Sequence, residues 1–341
     1  MSSIGFLIIG KKGLTSLEFV RHSNTELLNN IKYVVVGTDP NVQNDYSEEV
    51  LRFCTQNNIK TYSRSEFSTA KPKAEYLIAI GWKWLIDTEN INLIVLHDSL
   101  LPKYRGFNPL VTALLEGDTE IGVTAIEAID KVDAGPIISQ KAVEITYPIK
   151  IEQAIDEVSI LYSEVVEELL SMDLKTVDRT IQDESKASFS LWRNHEDYVI
   201  DWSNSAEYII RMIHAVGYPY QGALTHYKGE EIRVFDAEEV QDPNIVNRVA
   251  GKLFSIHKNE AIVVCGKGMV KIKEVKNVRG ESFEFKSLRE RLESFKKPIN
   301  TVKELELIKE TVENGKISEN GKYYHENHKF LNANMSLRSV S

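Results

Sequence analysis

A histidine and an aspartate in two polar turns are the residues of this sequence best suited to acid–base chemistry. His97 follows the apolar run Leu93–Leu96 and opens the segment His97-Asp98-Ser99-Leu100-Leu101-Pro102. Asp133 lies in a second turn, Val132-Asp133-Ala134-Gly135-Pro136. An imidazole holds or moves a proton near neutral pH, and a carboxylate beside it orients the ring. This pair also fits many hydrolases, so the two residues alone leave the reaction class open.

These turns need a sheet to position them, and the N-terminal part of the chain predicts one. It alternates helical patterns with short apolar runs typical of a buried parallel sheet. The runs are Ile4–Ile9, Tyr33–Val36, Tyr76–Ile80 and Leu93–Leu96. Ligands of such sheets bind at the carboxyl ends of the strands, and His97 follows the fourth run. We therefore expect His97 at the floor of a crevice.

Further helices and strands are predicted from caps, turns and apolar stripes. They are a helix at Ser47–Phe53, a helix opened by Asn108-Pro109 and closed by Gly117, strands at Gly122–Ile129 and Pro136–Ile145, and a long helix from Ile151. Gly10-Lys11-Lys12-Gly13 lacks the glycine spacing of a dinucleotide-binding fingerprint and predicts a strand-to-helix turn instead.

A polar stretch near residues 180–186 predicts a domain boundary. We assign residues 1–182 to a doubly wound α/β domain, 183–280 to a small β-rich domain and 281–341 to a charged, partly mobile helical tail. The second domain begins with a helix capped by Asn204, with Glu207 three positions later. Its β-like runs predict a small antiparallel barrel. They are Leu224–Tyr227, Ile232–Phe235, Lys252–Ile256, Ala261–Val264 and Met269–Val275.

The tail contains a second capping pattern, Thr301 with Glu304, which predicts a short helix ending at Asn314-Gly315. A short helix with an apolar stripe buries little by itself in water. We expect it to dock on the main body or on a second subunit, and we predict a homodimer.

Composition narrows the class of protein. The chain has 341 residues, is 42% hydrophobic and carries a net charge of −9, which disfavours a general nucleic-acid binder. Neither a signal peptide nor a membrane-spanning run is predicted. Cys54 and Cys265 stand far apart without companion ligands, so we predict buried thiols and neither a disulfide framework nor a metal site. We expect a cytoplasmic protein.

The segment from His97 to Gly106 has the pattern His-x-Ser-Leu-Leu-Pro-x-x-Arg-Gly, and Asp133 stands within Asp-Ala-Gly-Pro. Together these motifs resemble the formyltransferases that use 10-formyltetrahydrofolate. The resemblance continues at Gly122-Val123-Thr124, Ile200-Asp201-Trp202 and Pro219-Tyr220-Gln221-Gly222-Ala223, and covers roughly four-fifths of the chain. It implies a doubly wound folate-binding domain followed by a small barrel-like (OB-type) domain, in agreement with the predicted elements.

The resemblance implies that His97 is the catalytic histidine and Asp133 its acidic partner. The family has an asparagine two positions before the histidine, where this chain has Val95. Loss of such a donor to a developing oxyanion typically costs about 10²–10³ in rate. Protonated His97, a backbone N–H in Asp98–Leu101, or Asn108 are the candidate substitutes, although Asn108 also fits a simple helix cap. In the expected reaction a neutral amine attacks the formyl carbon, and no metal is required.

Two groups of binding residues are predicted. The residues expected to contact N10-formyltetrahydrofolate are Gly81, Trp82, Ser99, Leu100, Leu101, Arg105, Gly106 and Asp130. The residues expected to contact the acceptor substrate are Asn108, Trp192, Arg193 and Tyr220. Arg105 also fits a surface cation, and the tryptophans also fit the core.

Family members differ in acceptor: initiator methionyl-tRNA, nucleotide-linked amino sugars, or water in related hydrolases. Acidic residues in 38–50, among them Asp39 and Glu48, disfavour RNA. Ser188–Asn194 is similar to a segment of the sugar-modifying members. The favoured function is formyl transfer to the primary amine of a nucleotide-linked amino sugar in surface-glycan biosynthesis, without nucleic-acid or membrane partners. A methionyl-tRNA formyltransferase and a non-catalytic folate- or nucleotide-binding protein remain as alternatives.

Overall fold

A computed structural model describes residues 2–70, 72–84, 86 and 91–294. Its strands in chain order are β1 (Ile4–Ile8), β2 (Ile31–Val36), β3 (Lys60–Ser63), β4 (Tyr76–Ile80), β5 (Asn92–His97), β6 (Arg105–Gly106), β7 (Glu120–Glu127), β8 (Ile137–Glu144), β9 (Phe189–Ser190), β10 (Ala223–Tyr227), β11 (Glu230–Val240), β12 (Leu253–His257), β13 (Glu260–Val264), β14 (Met269–Asn277) and β15 (Leu292–Glu293). The helices are α1 (Lys11–Ser23), α2 (Ser47–Gln56), α3 (Arg64–Ala70), α4 (Pro109–Glu116), α5 (Ile151–Ser171) and α6 (Ala206–Ala215).

The predicted apolar runs form the centre of a seven-stranded sheet with the order β3-β2-β1-β4-β5-β7-β8. The first five strands of this order are parallel, and β7 and β8 continue the sheet antiparallel. The strand order reverses between β1 and β4, as in doubly wound sheets. Ile8 pairs with Val36 and Ile80 on either side, so the carboxyl ends of three strands are level. The predicted fold class is confirmed.

The two faces of this sheet are covered unequally. Helices α1 and α5 pack on one face, where Leu17 and Val158 are fully buried in the main core. Gly13 permits this close packing, because a Cβ there would stand 2.1 Å from Ile8 Cγ2. The other face carries a smaller apolar cluster against which Trp82 and Val95 are only partly buried. The thinner cover leaves apolar surface near the carboxyl end of β5.

The second sheet is antiparallel, with the order β12-β13-β14-β11-β10-β15. Its two ends approach each other, because Lys252 bridges Arg291 and Leu292 N–H donates to the Gly251 carbonyl over 2.8 Å. The sheet is therefore curled, as the predicted barrel-like domain requires. The final strand β15 was not predicted and extends this sheet beyond residue 280.

The described residues all lie within one compact unit, Met1–Phe295. The predicted division at residue 182 stays a prediction, and the predicted helix at Thr301 lies outside the described residues. Within the described part of the chain, no helix is long and apolar enough to cross a membrane.

The predicted cap of α6 is wrong by one residue. Ser205 is the N-cap, and its Oγ accepts a hydrogen bond from Tyr208 N–H over 3.3 Å. Asn204 is one position too early, because its N–H already closes a turn on Asp201 and its carbonyl accepts from Gly266 N–H. The predicted partnership between Asn204 and Glu207 therefore does not form.

Replacing the observed cap has a predictable cost. Ser205→Ala removes the acceptor for the first turn of α6 and should lower the free energy of unfolding by about 1 kcal/mol. Asn204→Ala is the matched control and should change it by less than about 0.5 kcal/mol. Urea unfolding of both variants measures the difference, and a larger loss in Asn204→Ala would contradict the assignment.

Candidate active site

His97 is the last residue of β5 and is buried, with 7% of its surface exposed. Its Nε2 lies 2.8 Å from the Tyr104 carbonyl oxygen. A carbonyl only accepts, so Nε2 carries the proton of the neutral ring and Nδ1 is left as the free nitrogen. The geometry thereby assigns the tautomer and leaves Nδ1 as the position that can take up a further proton.

Asp133 stands opposite that free nitrogen. Its Oδ2 lies 3.7 Å from His97 Nδ1 and accepts a hydrogen bond from Gly106 N–H over 2.8 Å. The aspartate has φ 51, in the left-handed region that glycine and asparagine adopt most readily. The structure thus brings the two residues of the sequence motif together, although their catalytic roles stay predictions. A proton taken up at Nδ1 would lie between the ring and this carboxylate.

The carbonyl that holds His97 comes from a backbone in an uncommon conformation. Tyr104 has φ 59, which is costly for a bulky side chain. A later segment stabilises it: Ser188 Oγ accepts from Tyr104 N–H over 2.9 Å, and the Ser188 carbonyl accepts from Arg105 N–H over 2.9 Å. Strands β6 and β9 pair in parallel just beyond. The sequence analysis included Ser188 in the segment Ser188–Asn194 but did not predict its contact with Tyr104, because no local spacing connects the two residues.

Arg105 lies inside the protein. Its side chain is 0% exposed and donates to Gln182 Oε1 from Nε and Nη2, over 3.1 and 2.8 Å. Its outer nitrogens donate to the carboxylate of Glu184 over 2.9 and 3.1 Å. The alternative of a surface cation is wrong. The partners of the guanidinium among the described residues are oxygens of Gln182 and Glu184. The predicted contact of Arg105 with folate stays a prediction.

The other predicted folate residues occupy three places. Gly81 follows β4 with φ 63, and Trp82 contacts Trp84 edge-on with ring centroids 4.9 Å apart. The Ser99–Leu101 loop is tied to β7, because the Ser99 carbonyl accepts from the Thr124 hydroxyl over 2.6 Å. The last member of the set, Asp130, is exposed in the turn that also holds Asp133. Position 85 and positions 87–90, beside Trp82, lie outside the described residues.

A cleft with a volume of about 200 Å³ opens at the reversal point of the sheet. Its walls are the chain after β1, β2, β4 and β5, the start of α5, and a loop after α6. Its lining residues include Gly10, Lys12, Asp39, Tyr46, Gly81, Asp98, Glu152, Asp156, Tyr218 and Tyr220. Open α/β sheets bind their ligands at this place. We regard it as the candidate acceptor cleft.

A second cleft, with a volume of about 190 Å³, lies between the Ser99–Tyr104 loop and the start of β7. Among the described residues, the walls of neither cleft include His97 or Asp133. Asp98 lines both clefts and directly follows His97. The pair is therefore linked to both clefts through Asp98, the first residue after β5.

Asp98 is held by two helices. Lys12 of α1 forms an ion pair with Oδ2, and the Tyr162 hydroxyl of α5 donates to Oδ1 over 2.5 Å. Burial alone would raise the pKa of Asp98, but the Lys12 ammonium and both hydrogen bonds outweigh it and lower the pKa below its usual value. Burial raises the pKa of Tyr162 well above its ordinary value, which keeps the proton on the phenol. Asp98 is thus a fixed negative charge on the cleft wall.

The predicted acceptor residues lie in two places. Trp192 is 54% exposed and meets Phe107 edge-on, and Arg193 is half-buried with an Nε that has no hydrogen-bond partner. Asn108 precedes α4 as predicted, but its side chain forms no cap; instead its Nδ2 donates to the Leu191 carbonyl over 3.5 Å. Tyr220 lines the acceptor cleft, and burial raises the pKa of its phenol.

The two thiols are buried, as predicted. Burial raises the pKa of both Cys54 and Cys265 to about 12. A thiol of this kind is almost entirely protonated at neutral pH, so neither cysteine is an activated nucleophile. Within the described part of the chain, no group of three or more histidine, cysteine, aspartate or glutamate side chains is arranged to hold a metal ion.

These features define an α/β protein with a histidine–aspartate pair beside a ligand cleft, followed by a curled antiparallel sheet. A formyl transferase family model matches residues 50–166, and a model of the formyl transferase C-terminal domain matches residues 193–289. The chain belongs to the formyltransferase family, which confirms the resemblance found in the sequence.

Sequence relatives of this chain are named methionyl-tRNA formyltransferase. Methionyl-tRNA formyltransferase of Lysinibacillus sphaericus (strain C3-41) is 31% identical over 187 residues, which cover 54% of this chain and 59% of that protein. The chain thus spans about three-fifths of the length of the first curated relatives it matches, at 59% and 60%. Such partial coverage leaves the acceptor of this chain open.

Two solved structures share the fold. An N-formyltransferase from Helicobacter canadensis, in complex with folinic acid and dTDP-3-aminofucose, has a TM-score of 0.59 at 14% identity, covering 81% of this chain and 100% of that one. HypX from Aquifex aeolicus in complex with tetrahydrofolic acid has a TM-score of 0.56 at 18% identity, covering 84% and 46%. At these identities the likeness concerns the fold alone.

The carboxylate of Glu184, which forms an ion pair with the buried Arg105, should make the stability of the protein depend on pH. Hydrogen bonds from Arg105 and Lys131 hold the pKa of Glu184 at about 2, against a usual 4.5. The folded pKa is depressed, so this contribution is complete above about 4.5 and is lost as the pH falls towards 2. Glu184→Gln should therefore lower the melting temperature at neutral pH, and its difference from wild type should shrink through that window.

Thermal unfolding of both proteins across this range measures the effect. Glu196→Gln, a change at an exposed glutamate with no ion pair among the described contacts, is the control. Added salt should weaken the Glu184 contribution, because the carboxylate is exposed. A difference that stays constant from neutral pH to about pH 2 would contradict the assignment.

Proposed function

We propose that this protein transfers a formyl group from N10-formyltetrahydrofolate to the primary amine of a nucleotide-linked amino sugar. The observation that carries the proposal is the contact of His97 Nδ1 with Asp133 Oδ2 at 3.7 Å, beside a cleft at the reversal point of the sheet. Family membership supports formyl transfer as the reaction class. The choice of an amino sugar as the acceptor rests on the negative charges that line the candidate acceptor cleft.

The surroundings of the pair fit a flat heteroaromatic carrier. Ile129 and Val132, in the same turn as Asp133, are 51% and 61% exposed. Trp82 and Val95 are only partly buried on the face of β5 that carries His97. Exposed apolar side chains grouped around polar ones are typical of ligand sites. We assign Trp82, Ile129 and Val132 to the folate side of the site.

The carrier supplies an activated formyl group, and the chain supplies proton handling and position. As the new carbon–nitrogen bond forms and the bond between the formyl carbon and the carrier nitrogen breaks, the amine must lose one proton and the carrier nitrogen must gain one. His97 Nδ1 can take up that proton because Nε2 is fixed on the Tyr104 carbonyl. Asp133, held by Gly106 N–H, stabilises the proton there. General acid–base catalysis of this kind contributes about 10²–10⁴ in rate.

Val95 raises the question of what supports the developing oxyanion. Val95 is partly buried against the smaller apolar cluster and offers no donor. Within the pair of His97 and Asp133, the hydrogen-bond donor available to the oxyanion is a proton held at His97 Nδ1. We therefore propose that His97 supports this charge as well as the proton transfer.

The charges of the acceptor cleft favour a hydroxyl-rich amine over RNA. Asp39, Asp45, Asp98, Glu152 and Asp156 line it, against the two lysines Lys11 and Lys12. Lys11 is paired with Asp156 and Lys12 with Asp98. RNA affinity depends on Lys and Arg side chains that can neutralise phosphates. A cleft of this charge suits a neutral or cationic sugar amine, and it repels a polyphosphate backbone.

The barrel adds to this argument. Lysines on its strands are paired with glutamates of neighbouring strands, as in Lys271 with Glu260 and Lys273 with Glu238.

A diphosphate of the acceptor would have to lie outside the acidic cleft. Arg193, which follows the exposed Trp192, is the residue we propose for it.

Two alternatives are kept. A methionyl-tRNA formyltransferase is favoured by the names of the sequence relatives. A non-catalytic folate- or nucleotide-binding protein is favoured by Val95. The proposal also includes a cytoplasmic location, since two buried free thiols fit a reducing compartment. A homodimer and a place in surface-glycan biosynthesis stay predictions.

The acceptor can be tested directly. Purified protein with 10-formyltetrahydrofolate and a panel of nucleotide-linked amino sugars should give one product whose mass has increased by a single formyl group. Initiator methionyl-tRNA under the same conditions should not be formylated. Formylation of the tRNA alone, with affinity that falls steeply with salt, would replace the sugar by the tRNA in this proposal.

The acid–base pair can be tested by a matched pair of substitutions. His97→Gln should lower kcat by about 10²–10⁴ and leave folate affinity nearly unchanged, because Nδ1 handles the proton. His22→Gln, at an exposed histidine of α1, should have no effect. Steady-state kinetics and equilibrium folate binding measure both. Folate binding by a wild type that forms no product with any acceptor would support the non-catalytic alternative.

A further inference from the structure

We propose that Gln182 is a positioning residue that holds Asp133 against His97, with Arg105 as its anchor. The proposal rests on the proposed function for its kinetic readout. Gln182 lies in the irregular segment between α5 and β9, and only 6% of its surface is exposed. Its side chain is buried between the segment that begins at Tyr104 and the turn that carries Asp133.

The amide of Gln182 uses its full hydrogen-bonding capacity. Oε1 accepts from Arg105 Nε over 3.1 Å and from Arg105 Nη2 over 2.8 Å. Nε2 donates to the Asp133 carbonyl over 2.8 Å and to the Gly135 carbonyl over 2.7 Å. A side-chain amide has two donor hydrogens and two acceptor lone pairs, and all four are used. The opposite orientation would face donors with donors and carbonyls with a carbonyl, so the contacts fix the amide.

The turn that Gln182 holds is strained and tight. Asp133 adopts φ 51, and a Cβ on Gly135 would stand 1.7 Å from the Glu127 carbonyl oxygen. The two carbonyls that accept from Gln182 belong to the residues on either side of Ala134. Such a backbone persists only when its surroundings over-determine it. Gln182 provides that constraint through its hydrogen bonds to the two carbonyls.

Arg105 fixes Asp133 through two routes. Its guanidinium, 0% exposed and closed on the outside by Glu184, orients Gln182 and so the Asp133 backbone. Its backbone leads directly to Gly106, whose N–H donates to Asp133 Oδ2 over 2.8 Å. Backbone and carboxylate of Asp133 are therefore held by adjacent residues of one short strand. This arrangement gives the buried Arg105 a structural role, the orientation of Gln182, that requires no contact with a ligand.

The test is Gln182→Glu, which keeps the shape of the side chain. The new carboxylate still accepts from Arg105, but it has no hydrogens for the carbonyls of Asp133 and Gly135 and repels them. We expect kcat to fall about 10²-fold, because small displacements of catalytic groups cost that much, with both KM values within about twofold of wild type. The Gly106 amide should exchange its hydrogen faster, because its partner Asp133 is no longer fixed.

The matched control is Gln153→Glu in the first turn of α5. Gln153 is exposed, and its Oε1 accepts from Lys150 N–H over 3.0 Å. A carboxylate preserves that bond and suits a helix N-terminus. The same chemical change should leave kcat and the exchange of Gly106 unchanged there. An equal loss in both variants would overturn the positioning role of Gln182.

A double-mutant cycle separates action through Asp133 from a general loss of structure. In the Asp133→Asn background, Gln182→Glu should lower kcat little further, because its target is already impaired. Losses that multiply would overturn the proposal. If Gln182→Glu does not fold, Gln182→Met keeps the length of the side chain without donors, and the same results are expected.

The exchange measurement also distinguishes this proposal from the proposed function. Gly106 exchange needs no substrate, so it reports on the Asp133 turn even in a protein without formyl transfer. Wild type that forms no product would refute the proposed function alone. A folded Gln182→Glu protein with unchanged Gly106 exchange would overturn the positioning role, whatever its activity.

Discussion

The site depends on the position of one imidazole between two oxygen acceptors. The Tyr104 carbonyl accepts a hydrogen bond from His97 Nε2–H over 2.8 Å, and the Asp133 carboxylate faces Nδ1 at 3.7 Å. One contact sets the tautomer, and the other gives a second proton a place to lie. If either acceptor moved, the ring would lose its orientation. The surrounding structure can be understood as the means of keeping both in place.

Keeping them in place requires unfavourable local conformations. Tyr104 and Asp133 both have positive φ values, and Arg105 is a fully buried cation. Each cost is offset by contacts from the segment that includes Gln182 and Ser188, which supplies the hydrogen-bond partners. Strain at a site that surrounding contacts over-determine is typical of functional residues. This connecting segment is therefore part of the site as well as a link between the two sheets.

The end of β5 contributes to two different surfaces. His97 faces Asp133, and the next residue, Asp98, lines both clefts. His97 meets the Tyr104 carbonyl and Asp133, whereas Asp98 meets Lys12 and Tyr162, so the two side chains have different surroundings. Lys12 and Tyr162 keep Asp98 ionised on the wall of the acceptor cleft. Together with the other carboxylates of the cleft, it makes the local charge negative, which disfavours contact with phosphate groups.

The sequence by itself determined the order of the elements, the class of fold and the two residues, His97 and Asp133, that the structure brings together. Period-two and period-3.6 patterns report local geometry, and the motifs around His97 and Asp133 mark the ends of particular strands. Only the tertiary structure decided which polar side chains meet. Arg105 and Gln182, which form hydrogen bonds with each other, are 77 residues apart in the chain. Ser205 rather than Asn204 is the N-cap of α6, because the backbone of Asn204 is already part of a turn. Burial and partnership of polar groups arise from segments distant in the chain, and no local spacing encodes them.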